Sequence, residues 1–162
     1  SSDLSALEMD TVQLGGVDRT VRTTSAQLAA AARLTIRERI QTDGRDTART
    51  DFTVSMDGDG SAVNLISRSV ARGSSRQTYR SKLIGNCRCS GHSECDAILM
   101  DRGRVDAFPE LIAGCRDASL IHEAAIGRIA GEQIVKLRTL GLSEGEAERR
   151  IIEGFLGGAA PM

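Results

Sequence analysis

The sequence predicts a mainly β fold that ends in a small α-helical hairpin, and three observations carry that expectation. Polar and apolar residues alternate at period two in short runs, the mark of strands with one buried face. Glycine-bearing turn signals separate those runs, at spacings mostly near the ~8–12 residues of all-β folds. After Gly127 the apolar spacing becomes helical.

The strand signal runs from about residue 8 to 126. In RLTIRERI (33–40), Leu34, Ile36 and Ile40 share one side and Glu38 breaks the pattern. In DFTVSMD (51–57), Phe52, Val54 and Met56 alternate with Thr53, Ser55 and Asp57. Turns are expected at Gly15-Gly16, Asp43-Gly44, DGDG (57–60), Gly73, Gly85, Gly91, Gly103 and Gly114. No fixed-period sequence repeat stands out, and turn spacing alone does not separate a sandwich from a solenoid.

In GEQIVKLRTLGLSEGEAERRIIEGF, Ile134, Leu137 and Leu140 follow helical spacing, and Gly141 supplies a helix-ending residue. Ser143 with Glu146 makes a capping box, Leu142 can staple to Ala147, and Ala147, Ile151 and Phe155 form one stripe. Such a hairpin either covers the open end of a β structure or docks a partner. The closing GGAAPM is expected to fray.

Composition narrows the function. Aromatic residues are 2% of the chain and hydrophobic ones 40%, so the core is built from Val, Ile, Leu and Ala, which suits thin, regular stacking. A net charge of −1, with arginines interleaved among acids, argues against nucleic acid as a partner. No apolar run approaches the ~20 residues of a membrane helix. No signal-peptide pattern opens the chain, and the lack of an initiating Met places its expected true start upstream. There is no P-loop, no GxGxxG after a strand and no GxSxG elbow, so neither nucleotide binding nor autonomous hydrolysis is expected.

The chemistry concentrates in GNCRCSGHSECDA (85–97), which holds Cys87, Cys89, His92 and Cys95. Four cysteines without a secretory signal point to a reduced, cytoplasmic setting, where clustered thiols are metal-binding or reactive. Cys87 and Cys89 face one site if that stretch is extended, which makes Cys87, Cys89 and His92 candidate metal ligands. His122 and Glu123 are a second candidate pair, both able to bind Fe(II) or Zn(II). Adjacent on a strand, they point to opposite faces, and an ordinary surface pair is the simpler reading of that dipeptide alone.

SKLIGNCRCSGHSECDAILMD, ASLIHEAAIGRIAGEQIVKLRTLGLSEGEAERRIIEGF and the upstream DGDGSAVNLISRSVA together resemble the C-terminal half of the SufB/SufD family, across nearly the whole chain. The resemblance implies a right-handed parallel β-helix (β-solenoid) core over 1–127 and a C-terminal helical domain over 128–162. It implies a non-catalytic subunit of an iron–sulfur cluster assembly scaffold, carrying a transient cluster and binding no nucleotide itself. It implies as partners a SufC-type ABC ATPase, a sulfur donor, and a SufB/SufD paralogue or a second copy of the chain. Cys95 matches the cysteine proposed to hold nascent sulfur or cluster, and His122 and Glu123 match the SufB-type His-Glu pair near that cysteine across the subunit interface. The ATPase would dock on the helices around Leu142, Glu144, Ala147, Ile151 and Phe155. Dimerisation is expected through the last solenoid strands, around residues 104–124, which would bring Cys95 and the His122-Glu123 pair of different chains together. Cys87, Cys89 and Cys115 depart from the SufB pattern, and Cys115 is expected to be a buried small apolar residue. The family's early solenoid turns are absent from this sequence.

Two other functions compete. One is a structural zinc-binding β domain for protein–protein contact, with Cys87, Cys89, His92 and Cys95 as ligands. The other, a polysaccharide-active solenoid, ranks far lower, since the chain has no Trp and one Tyr to make sugar platforms.

Overall fold

A computed structural model describes residues 5–157. Nine strands precede two helices: β1 (Ala6–Leu14), β2 (Arg19–Leu28), β3 (Arg33–Thr42), β4 (Thr47–Met56), β5 (Ala62–Ala71), β6 (Arg76–Gly85), β7 (Cys89–Leu99), β8 (Arg104–Ala113), β9 (Ala118–Gly127), α1 (Gly131–Thr139) and α2 (Glu144–Phe155). Odd strands form one sheet in the order β1-β3-β5-β7-β9, and even strands a second in the order β2-β4-β6-β8. Every pairing is parallel. Each odd strand therefore turns a corner into an even strand and returns one level up, giving a β-solenoid of about four turns.

The turns are of nearly constant length. Ala6 pairs with Arg33, Arg33 with Ala62 and Ala62 with Ser90, offsets of 27, 29 and 28 residues. A spatial repeat thus exists where no sequence repeat was apparent, because only the inward positions are constrained to be small or apolar. Phe52, Val54 and Met56 are buried as their alternation predicts, and with Leu34, Ile36, Leu65 and Leu83 they form the main core. Burying such side chains contributes about 1.5–3 kcal/mol each.

Two sequence expectations are corrected. Glu38 does not break the β3 pattern but continues it, its side chain lying on the buried face. It is satisfied there by Thr50 Oγ1 and Ser67 Oγ, each donating at 3.0 Å, and by Arg22 Nη1 at 2.6 Å. Gly91 is not a turn but an inward position within β7. A Cβ there would stand 2.8 Å from Leu120 Cδ2 and 3.0 Å from Met56 Cε, so the residue is small for packing reasons.

Ser143 caps α2 with the expected box: Glu146 N–H donates to Ser143 Oγ at 3.4 Å, and Ser143 N–H to Glu146 Oε2 at 2.8 Å. Gly141 turns the chain out of α1 at a φ of 95°, open to glycine. The α2 stripe is wider than expected: Ile152 and Leu156 are buried with Ala147, while Ile151 and Phe155 are half-buried. Ile152 and Leu156 cover Val70, an outward residue of β5, with Leu14, Ile98 and Met100 around them. The hairpin is thus packed on the side of the solenoid. Among the docking candidates, Glu144 is exposed and Leu142 half-buried, whereas Ala147 is fully buried within its own chain and offers no surface. Of GGAAPM, residues 158–162 lie outside the described region. No described helix is long and apolar enough to cross a membrane.

Candidate functional site

The period-two rule sorts the motif residues between two faces of one sheet. On β7, Cys89, Gly91, Ser93, Cys95 and Ala97 point inward and are buried, while His92, Glu94 and Asp96 face outward. Parallel pairing then sets β9 beside them, with Ser93 opposite His122, Glu94 opposite Glu123 and Cys95 opposite Ala124.

Cys95 stands in an inward rank that runs Thr11, Glu38, Ser67, Cys95, Ala124 across the five strands. It is 1% exposed. Burial, with the charges of Asp96 and Glu38 adding to it, pushes its thiol up to about 12. A cavity of about 10 Å³ lies beside it, bordered by Glu38, Ser67, Gln77 and Tyr79, close to the size of a single water. Cys95 is therefore a protonated, enclosed thiol in the isolated chain.

His122 belongs to the neighbouring inward rank. Its Nδ1 lies 3.1 Å from Ser93 Oγ, and its ring stacks on Tyr79 with centroids 6.5 Å apart. Ser93 Oγ also donates to Ser81 Oγ at 3.0 Å and shares a 2.9 Å hydrogen bond with Tyr79 Oη. Burial pulls the imidazole below its ordinary range, and its Nε2 is enclosed with no hydrogen-bond partner among the described residues. From strand spacing and rise, His122 and Cys95 are diagonal neighbours, with Cα atoms roughly 8 Å apart.

Glu123 points the other way. Its Oε2 lies 3.2 Å from His92 Nε2 on the outer face. The structure thus brings Cys95 and His122 onto one face and sets Glu123 on the opposite one.

The four-ligand zinc set does not assemble. Cys89 and Cys95 lie on one strand six residues apart, roughly 20 Å at ~3.3 Å per residue, beyond any shared metal. Cys87 is in the corner before β7, not in extended chain, and its Sγ donates to Met56 O at 3.3 Å. His92 faces away from Cys89. Cys115 is half-buried, not buried as expected, because it lies in the last corner of the solenoid, between β8 and β9. All four cysteines are free thiols.

Sequence reading missed Glu38, Tyr79, Ser93 and Glu94. The rung length reveals Ser93 and Glu94, since it sets Ser93 against His122 and Glu94 against Glu123, while Glu38 and Tyr79 emerge from the inward ranks and their contacts.

Two parallel sheets wound into a solenoid, with a helical hairpin packed on its side and a buried thiol diagonal to a half-buried imidazole, make this a β-solenoid protein. The chain belongs to the family described as SUF system FeS cluster assembly, SufBD core domain, which it matches over residues 2–155. It is similar to an iron–sulfur cluster assembly SufBD family protein of Methanothermobacter thermautotrophicus, 38% identical over 105 residues, covering 64% of this chain and 26% of the relative. A protein of the same description from Archaeoglobus fulgidus is 40% identical over 101 residues, 61% of this chain and 27% of the relative. One from Mycobacterium tuberculosis is 34% identical over 97 residues, 57% of this chain and 12% of the relative. The chain thus matches about a quarter or less of the length of these relatives.

Proposed function

We propose that this chain is a subunit of a SufBCD-type scaffold that receives sulfur and iron and builds a nascent iron–sulfur cluster, with no catalytic activity of its own. The observation that carries this reading is the placing of Cys95 and His122 as diagonal neighbours on the inner face of the last two strands of the five-stranded sheet. Thiolate accepts sulfur and binds iron, and imidazole is a weaker, exchangeable ligand, which suits a platform that gives its cluster away. Burial holds the Cys95 thiol protonated, so loading proceeds with opening of the strands that cover it and with the incoming metal displacing that proton to solvent. Glu123, on the outer face, contributes as an iron ligand from outside that pair.

A SufC-type ABC ATPase supplies ATP hydrolysis and docks on the hairpin, where Leu142, Glu144, Ile151 and Phe155 keep exposed or half-exposed surface. A paralogue or a second copy covers the open end at residues 104–124, where Phe108, Leu111, Ile112 and Ile121 are exposed. A sulfur donor completes the set, and the setting is cytoplasmic.

The test is delivery. The anaerobically reconstituted chain, with its partner subunits, is mixed with an apo-ferredoxin and the acceptor's absorption is followed. Transfer that fails in His122→Ala supports the reading. Transfer at the rate of free iron and sulfide, with or without the protein, contradicts it.

A further inference from the structure

The outer face of the five-stranded sheet groups Glu123 with two residues of β7, His92 and Glu94, to which the cluster-assembly reading gives no role. His92, Glu94 and Glu123 each present one ligand atom, and the three atoms lie within 4.8 Å of one another. Register produces this. Glu94 and Glu123 are directly paired on β7 and β9, and His92 is two residues from Glu94 on the same face.

Like charges directly abreast on neighbouring strands destabilise a sheet. Asp96, next on that face, adds a third acid. Arg68 Nη2 is 4.0 Å from Glu94 Oε1, at the limit of an ion pair. Asn64, one strand over, approaches His92 Nδ1 with Oδ1 at 2.8 Å. A carbonyl oxygen accepts from Nδ1–H, which leaves the Nε2 lone pair aimed at Glu123 Oε2. Two carboxylates and one imidazole lone pair thus converge, with the imidazole oriented by an amide behind it. That is the arrangement by which metal-binding histidines are held.

We propose that His92 Nε2, Glu94 and Glu123 form a binding site for a single first-row divalent cation on the outer face of the solenoid. The nitrogen and oxygen donors suit Fe(II), Co(II), Mn(II) or Zn(II), and three protein ligands leave positions open for water or an incoming group. The two carboxylates neutralise a dipositive ion. The site is separate from Cys95, whose side chain leaves the opposite face of β7. Iron(II) as the natural ion rests on the assembly reading; the site itself does not.

The experiment titrates the purified full chain with cobalt(II) without oxygen, reading d–d absorption and bound metal. One cobalt per chain is expected, with nitrogen–oxygen bands and no thiolate-to-cobalt charge transfer. His92→Ala and Glu94→Gln should each weaken binding at least tenfold, Asn64→Ala severalfold, and Cys95→Ala not at all. These side chains are exposed or half-exposed, so folding is checked by circular dichroism and is expected to be unchanged. No binding by the wild type, thiolate charge transfer, or full binding by both His92→Ala and Glu94→Gln would each overturn the site. Cobalt binding of the expected kind, with cluster assembly indifferent to Cys95, retains the site and sinks the assembly reading. Cysteine-dependent assembly without cobalt binding does the reverse.

Discussion

Arg22 Nη1 lies 2.6 Å from Oε2 of Glu38 and so joins a half-exposed guanidinium to a carboxylate that is 1% exposed inside the solenoid. Desolvation holds the Glu38 carboxyl above its usual range, against the opposing pull of Arg22, Ser67 and Thr50. The folded chain therefore keeps this proton to higher pH than the unfolded chain. Its contribution to stability declines as pH rises from the usual carboxylate range through the raised value, and is level above that. Arg22→Ala should cost about 3–5 kcal/mol near neutral pH, because it strands a buried carboxylate. Glu38→Gln should cost less, and the double variant should recover most of the Arg22→Ala loss. Urea unfolding of the three variants decides, and equal costs for both single changes would contradict this account.

The Cys95 thiol, raised to about 12 from an ordinary 9.0, has about a thousandfold less thiolate than a free cysteine at the same pH. Alkylation at pH 8, followed residue by residue by mass spectrometry, should label the half-buried Cys87 and Cys115 first. Cys95 should label only on unfolding. Early labelling of Cys95 in the folded chain would show that β7 and β9 open readily without a partner.

The His122 imidazole is held below its ordinary range by burial. The unfolded chain then takes up this proton first as pH falls. The stability that neutral His122 contributes is complete above about pH 6.5. It is lost as pH drops from there to the lowered folded value. The difference in denaturation midpoint between wild type and His122→Asn should shrink over that interval. A constant difference from pH 7.5 to 5 would mean that the imidazole is not desolvated.

Two glycines separate backbone from side-chain crowding. A Cβ on Gly103 would sit 2.2 Å from the carbonyl oxygen of Ala71, an obstacle the solenoid cannot move, whereas one on Gly91 meets the ends of Leu120 and Met56. Gly103→Ala should cost about 2–4 kcal/mol and Gly91→Ala about 1–3, by thermal unfolding. The reverse order would contradict the corner geometry.

Leu156, wholly buried against Val70 and Ile152, anchors the hairpin to the solenoid. Leu156→Ala should cost about 2–5 kcal/mol and raise hydrogen exchange in α2 while leaving β3 to β7 protected. Unchanged exchange in α2 would show that the hairpin is held elsewhere.

The strands, the helix pair and the capping box were legible because alternation and cap chemistry are local. Phe52, Val54 and Met56 declared their face by apolarity alone. Glu38 did not, since its inward position depends on partners from three other strands, Arg22, Thr50 and Ser67. The site was legible residue by residue but not in its grouping. The opposite facing of His122 and Glu123 follows from the strand period. That His122 meets Ser93 and Tyr79, and Glu123 meets His92, follows only from the rung offset, which no sequence repeat advertises. The zinc set failed for a different reason: Cys89 and Cys95 are far apart along one strand, and Cys87 lies in the corner before it.

The central claim is that Cys95 anchors the nascent cluster. Wild type, Cys95→Ala and the Cys87→Ser/Cys115→Ser double variant should be reconstituted with iron and sulfide without oxygen, together with their partner subunits. Bound iron, labile sulfide and thiolate-to-iron absorption are then counted per chain. The account predicts full loading in the wild type and the double variant, and loss of the absorption in Cys95→Ala. A complete cluster in Cys95→Ala would contradict it.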